Sequence, residues 1–215
     1  MKILIHLLWF FSSCIHAFSC HDAQIIQQKP IQFDQERIEL TRQYQLTHYG
    51  IDSKSIEIEP RIIVLHWTGI PTAAATFRVF NSPTFPKNSP RIKELPGSLN
   101  VSSHFLVDQD GTIYQLMPDN WMARHVIGLN YFAIGIENVG GMNDQDDLTD
   151  AQVRANAFLV CYLKKKYPRI NYIIGHRDYL KFKDTPFWLE LDPDYHTDKK
   201  DPGPVFLDKV MKLVD

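Results

Sequence analysis

Two short β-branched runs in this 215-residue chain each finish on a histidine: IIVLH ends at His66 and YIIGH at His176. If such runs form neighbouring strands, about 5 Å apart, the two imidazoles come close enough to share an ion. Either histidine taken singly is more often a hydrogen-bonded structural residue. The carboxylate that could complete the set is Asp201 in HTDKKDPGP (196–204), where Pro202, Gly203 and Pro204 follow it directly. Proline fixes φ and discourages helix, so this aspartate sits on a stiff turn, and a plain turn-forming Asp-Pro-Gly is the alternative reading. Two histidines and an aspartate leave one position open on a tetrahedral ion, the arrangement of a catalytic zinc. Such a site needs a base. Glu137 closes AIGIE (133–137), and a period of two puts it on one face with Ala133 and Gly135, small residues that leave room for a substrate to approach. A glutamate in water at a sheet edge is the alternative. In a partly desolvated pocket its carboxylate would accept a proton from a metal-activated water and hand it to a leaving amine.

The elements that must position these groups follow from local pattern. RIIVLHW (61–67) is a dense β-branched run and predicts a buried strand; AIGIEN (133–138) and NYIIGH (171–176) predict two more. SSHFLVDQDGTIYQL (102–116) alternates on both sides of Asp110-Gly111 and predicts a hairpin. Asp34 and Gly50 bracket a short helix, 70–80 is helical in pattern, and Thr149 with Gln152 forms a capping box opening a helix to about Lys166. The Pro-, Ser- and Asn-rich stretch 81–99 is a surface loop, and the polar segment 20–35 a linker or arm. Strands interspersed with helices give an α/β domain.

Bulk properties exclude more than they assign. A formal charge of −2 with pI near 6.5 offers no basic footprint for nucleic acid. The opening MKILIHLLWFFSSCIHAFSC has one lysine, then an apolar run, then small residues, which is the layout of a secretory signal over 1–19. Export to the periplasm or beyond follows, with membrane attachment arising only through a lipidated Cys14 or Cys20. Cys161 is then the folded domain's one thiol, a core filler in a domain without an internal disulfide.

LHWT (65–68), the 102–116 hairpin, HVIGLNYFAIGIENVGG (125–141), IIGH (173–176) and KKDPGP (199–204) occur in an order that resembles the zinc-dependent N-acetylmuramoyl-L-alanine amidases of the amidase-2 type, which share a fold with peptidoglycan recognition proteins. The resemblance covers about residues 36–213. It implies a single α/β domain with a central mixed β-sheet flanked by helices, a Zn²⁺ cofactor, and a peptidoglycan or muropeptide substrate. Hydrolysis would fall on the amide between N-acetylmuramic acid and L-alanine. It further implies His66, His176 and Asp201 as zinc ligands, Glu137 as the catalytic glutamate, and Lys199 against the developing oxyanion. Thr68 and His125 fall in matching segments and are expected to contact substrate or support the ligands. A non-catalytic peptidoglycan-binding module of the same fold is the alternative function. The chain departs from the pattern at Ser103, where some members carry tyrosine, and in the 24 residues between His176 and Asp201, a longer separation than in many members. That insert carries Phe182, Phe187, Trp188 and Tyr195. With Trp188 as its substrate contact it would form a binding wall; folded back, it would be a small satellite core.

Overall fold

A computed structural model describes residues 24–85 and 98–214. Among them the chain runs β1 (Ile26–Gln28), α1 (Gln35–Tyr49), β2 (Ile62–Trp67), α2 (Ala73–Asn81), β3 (Phe105–Val107), β4 (Ile113–Gln115), β5 (Ala133–Asn138), α3 (Asp150–Lys166), β6 (Tyr172–Gly175) and α4 (Pro204–Val214). Short 3-10 turns occupy Met142–Asp144 and His176–Phe182. The expected signal segment, Cys14, Cys20 and the centre of the 81–99 loop lie outside the described residues. No helix among those described is long and apolar enough to cross a membrane.

The strands form one mixed sheet in the order β1-β4-β3-β5-β2-β6, with only the β3–β4 hairpin antiparallel. All six residues of β2 are buried, which is why its sequence is a continuous β-branched run: a parallel strand between two neighbours is covered on both faces. On one face Ile63, Leu65, Ile134 and Ile136 pack with Val153, Leu159, Val160 and Leu163 of α3 and Phe206 and Val210 of α4. On the other, Ile62, Val64 and Ala133 meet Val126, Ile127, Leu129, Tyr179 and Phe182. The sheet is thus the middle layer of the domain.

Local signals place the helices. Asp34 accepts from the Arg37 amide at 3.2 Å, and Gly50 closes α1 at φ 66°, a left-handed conformation that suits glycine. The buried Arg37 guanidinium donates to the carbonyls of Phe80 at 2.7 Å and Asn81 at 3.2 Å, satisfying the C-terminal end of α2. Both bonds of the Thr149–Gln152 box are made, and the buried Gln152 amide donates to the carbonyls of Val139 and Val107, locking α3 onto β5 and β3.

Two expectations change. Within 20–35, Ile26–Gln28 pair in parallel with β4 as β1, and Ile31 is buried, so this part of the arm is an edge strand of the sheet. Its polar sequence hid it, because an edge strand needs little apolar surface. Cys161 is half-buried and disulfide-bonded, so the free core thiol is overturned. On α3 it follows Val160 at the margin of the buried stripe, where a helix turns its next residue away from the sheet.

Beneath β5, His104 accepts the Gly135 amide on Nδ1 at 3.0 Å and donates Nε2–H to the Trp121 carbonyl at 2.8 Å. Burial pushes its pKa from 6.5 down to about 4, opposed by the bond to Trp121. The unfolded chain therefore binds more protons than the folded one between about pH 4 and 6.5. His104's contribution is fully present above that window and is lost as pH falls through it, on the order of 3 kcal/mol in all. Urea titrations of His104→Gln are expected to show a shallower pH dependence of stability in this window, by up to about 1.4 kcal/mol per pH unit. An unchanged slope would assign the acid sensitivity to other groups.

Candidate active site

Because β2 runs parallel to both β5 and β6, the carboxyl ends of three strands meet at one edge of the sheet, the crevice where open α/β sheets bind ligands. His66 is the penultimate residue of β2, Glu137 lies opposite it on β5 in register, and His176 follows β6 directly. Asp201 arrives from the long insert and is held from several sides. Its carbonyl accepts the Arg177 amide at 2.8 Å. Pro202 packs where a Cβ on Gly175 would come within 3.0 Å. Asp146 fills the space a side chain on Gly203 would need and accepts the Val205 amide at 3.0 Å at the start of α4.

His66 Nδ1, His176 Nδ1 and Asp201 Oδ2 form a nearly equilateral triangle with sides of 3.0, 3.1 and 3.2 Å. Its corners lie about 1.8 Å from its centre, so all three atoms could reach one ion at the usual zinc distance of about 2.0–2.1 Å. The charge state agrees. Burial pushes His66 down to about 4, with His176 adding to the shift, so its imidazole is neutral. Burial would raise Asp201, but the neighbouring imidazoles of His176 and His66 outweigh it and hold its carboxyl well below the usual range. Neutral imidazole and ionised carboxylate are the states a metal ligand must have.

The triangle opens into a cavity of about 280 Å³. Glu137, Lys199, Thr68 and His125 all line it, which brings together every expected site residue but one. Lys199 sits two residues from Thr197, whose amide donates to, and whose carbonyl accepts from, the Tyr179 hydroxyl, each at 2.8 Å. Thr68 folds back on Ile70, donating to its carbonyl at 2.9 Å and accepting its amide at 3.0 Å. His125 stands behind His66 with Nδ1 3.0 Å from His66 Nε2.

Trp188 does not line the cavity. It packs with the cluster of Tyr179, Phe182 and Phe187 behind the sheet, stacked on Tyr179 at 5.9 Å, over Gly128 where a Cβ would meet its ring at 2.7 Å. This part of the insert is the satellite core, and its indole is turned from the site because Gly128, at φ 77°, leaves a slot for it. The other end of the insert does reach the cavity: Tyr195 is buried at its wall, and its hydroxyl accepts from Arg124 Nη2 at 3.1 Å. Arg124, whose guanidinium also lies 4.9 Å over the Tyr44 ring, escaped sequence reasoning although it directly precedes His125 in the matched segment. The room expected over Gly135 is also differently used, because the His125 ring fills it.

A family model described as N-acetylmuramoyl-L-alanine amidase matches residues 56–204, which include the triangle, Glu137 and Lys199. The chain is 30% identical over 172 residues to 1,6-anhydro-N-acetylmuramyl-L-alanine amidase AmpD of Salmonella typhimurium, covering 74% of this chain and 81% of that protein. It is 31% identical over 80 residues to peptidoglycan recognition protein 3 of Mus musculus, covering 37% of this chain and 23% of that one. A crystal structure of a selenomethionine AmpD derivative shares the fold at TM-score 0.56, with 24% identity over 88% of this chain and 94% of that chain.

Proposed function

The chain belongs to the N-acetylmuramoyl-L-alanine amidase family, and from that premise we propose that it is a zinc-dependent hydrolase of the amide joining N-acetylmuramic acid to L-alanine, in peptidoglycan or its muropeptide fragments. The observation that carries this reading is the triangle of His66, His176 and Asp201 lining one cavity with Glu137, which stands in register with His66 on the adjacent strand. His66, His176 and Asp201 would hold a zinc ion, which when bound would supply Lewis-acid polarisation of the scissile carbonyl and a more acidic water.

The chain's own groups do the rest. Glu137 accepts the proton of the attacking water and delivers it to the departing amine of L-alanine, so the nitrogen leaves neutral. Lys199, which also lines the cavity, places its ammonium against the oxygen that becomes negative as the carbonyl carbon turns tetrahedral. The half-enclosed cavity strengthens both effects, since fewer waters compete for the charges. Export is part of the proposal, on the strength of the apolar N-terminal pattern, and would bring the enzyme to its polymeric substrate.

Mass spectrometry of purified peptidoglycan after digestion tests the proposal. With zinc present, free stem peptides beginning at L-alanine are expected, and treatment with a chelator should abolish them. Retention on sacculi without any peptide release, indifferent to zinc, would overturn it in favour of a binding module.

A further inference from the structure

The hydrogen bonds behind His66 have only one consistent direction. The Ala133 carbonyl lies 3.2 Å from His125 Nε2 and can only accept, so Nε2 carries the proton. His125 is buried, and its ring partners are a carbonyl and an imidazole with no carboxylate to balance a second ring proton, so its Nδ1 bears a lone pair. That lone pair faces His66 Nε2 at 3.0 Å, which must therefore be the donor. A neutral imidazole has one N–H, so His66 Nδ1 is left bare. It is the atom that stands 3.0 Å from His176 Nδ1 and 3.2 Å from Asp201 Oδ2.

We propose that His125 is a positioning residue: it fixes the tautomer and tilt of His66, relaying the acceptor strength of the Ala133 carbonyl through its ring so that His66 Nδ1 always presents its lone pair to the ligand triangle. Of the two roles expected of His125, this specifies how it would support a ligand, and it rests on the reading of the triangle as a zinc site.

The surroundings are built for this. A Cβ on Gly135 would meet the His125 ring at 2.8 Å, so glycine on β5 is what lets the imidazole lie against the strand. Asn130 Oδ1 accepts the amides of both His125 and Val126 at 2.8 Å, while its Nδ2 donates to the Tyr49 hydroxyl at 3.0 Å, fixing the backbone from which the ring projects. A ligand histidine commonly gives its second N–H to a carboxylate or carbonyl. Here a second histidine stands between, which moves the carbonyl's influence one ring further. The interposed ring also lines the cavity, so the support for His66 reaches the surface that substrate occupies.

NMR of the ¹⁵N-labelled protein tests this without activity. In both metal-free and zinc-loaded protein, a scalar coupling is expected across the hydrogen bond between His66 Nε2 and His125 Nδ1, with the His125 proton on Nε2. A proton on His125 Nδ1, or no coupling in the metal-free state, would overturn the relay. Two variants add a second readout, zinc affinity by chelator competition. His125→Leu removes the acceptor and should weaken zinc by about 10–100-fold, the range for outer partners of metal ligands. His125→Asn keeps an acceptor oxygen near the place of Nδ1 and should recover most of that loss. Equal losses in the two variants would show that the ring only fills space, and the proposal would fall. Should His125→Leu fail to fold, the coupling in the unaltered protein decides alone. Coupling in the metal-free protein with no zinc binding would uphold the relay and overturn the zinc reading instead.

Discussion

Glu137→Gln is expected to hold its metal and lose at least about a hundredfold in turnover, the lower bound of what a positioned general base contributes. The substitution keeps the shape of the side chain and removes its capacity to accept a proton. Glu137 is half-buried, lines the cavity, and sits on β5 directly across from His66, so its carboxylate belongs to the same edge of the sheet as the triangle. None of the three triangle bonds involves it, which is why zinc content should not change. The check is paired: the rate of peptide release by mass spectrometry, and zinc per protein by elemental analysis. Turnover near that of the unaltered protein would remove Glu137 from the mechanism. Loss of both turnover and zinc would make it part of the metal site instead.

How far the site could be read in advance depended on whether the relevant physics is local. The strand ends bearing His66 and His176 were legible because a strand buried on both faces must be written as a continuous β-branched run, and each histidine breaks that run. The caps of α1 and α3 were legible because they depend on residues three or four apart. Asp201 was marked by its prolines, although its actual restraint comes from Gly175, Asp146 and the Arg177 amide, none of them near it in pattern. What was not legible is where residues meet only through the fold. Nothing in AIGIE says that the space over Gly135 is taken by a ring from residue 125, nor that Trp188 turns to Gly128 while Tyr195, seven positions on, turns to the cavity. Arg124, which no local pattern singles out, is buried against the Tyr195 hydroxyl, the Leu99 carbonyl and the face of Tyr44. A single β1 strand of three residues, two of them glutamine, carried too little periodicity to be told from a linker.

The complementary expectation concerns Asp201→Ala, which should lose the metal rather than the proton transfer. Asp201 supplies the triangle's only negative charge, and the imidazoles keep it ionised even though burial opposes this. Its removal leaves His66 Nδ1 and His176 Nδ1, two neutral donors 3.0 Å apart, to hold a dication. The site then loses a ligand bond together with the charge that balances the ion. Affinity should fall by more than the ~10–100-fold typical of outer-shell partners, and zinc should leave on dialysis against a chelator that the unaltered protein resists. Acid should act on the unaltered site in the same direction, because every ligand must be deprotonated to bind and zinc release therefore grows as pH falls. Full zinc occupancy in Asp201→Ala after dialysis would mean that the third ligand is another group. The backbone should tolerate the change, since the turn is held by the Asp201 carbonyl, Pro202 and Gly203 rather than by the carboxylate. A folded protein that has lost its zinc would therefore tie Asp201 to the ion itself. Set beside a Glu137→Gln protein that keeps zinc, it would divide the cavity into the groups that hold the metal and the group that moves the proton.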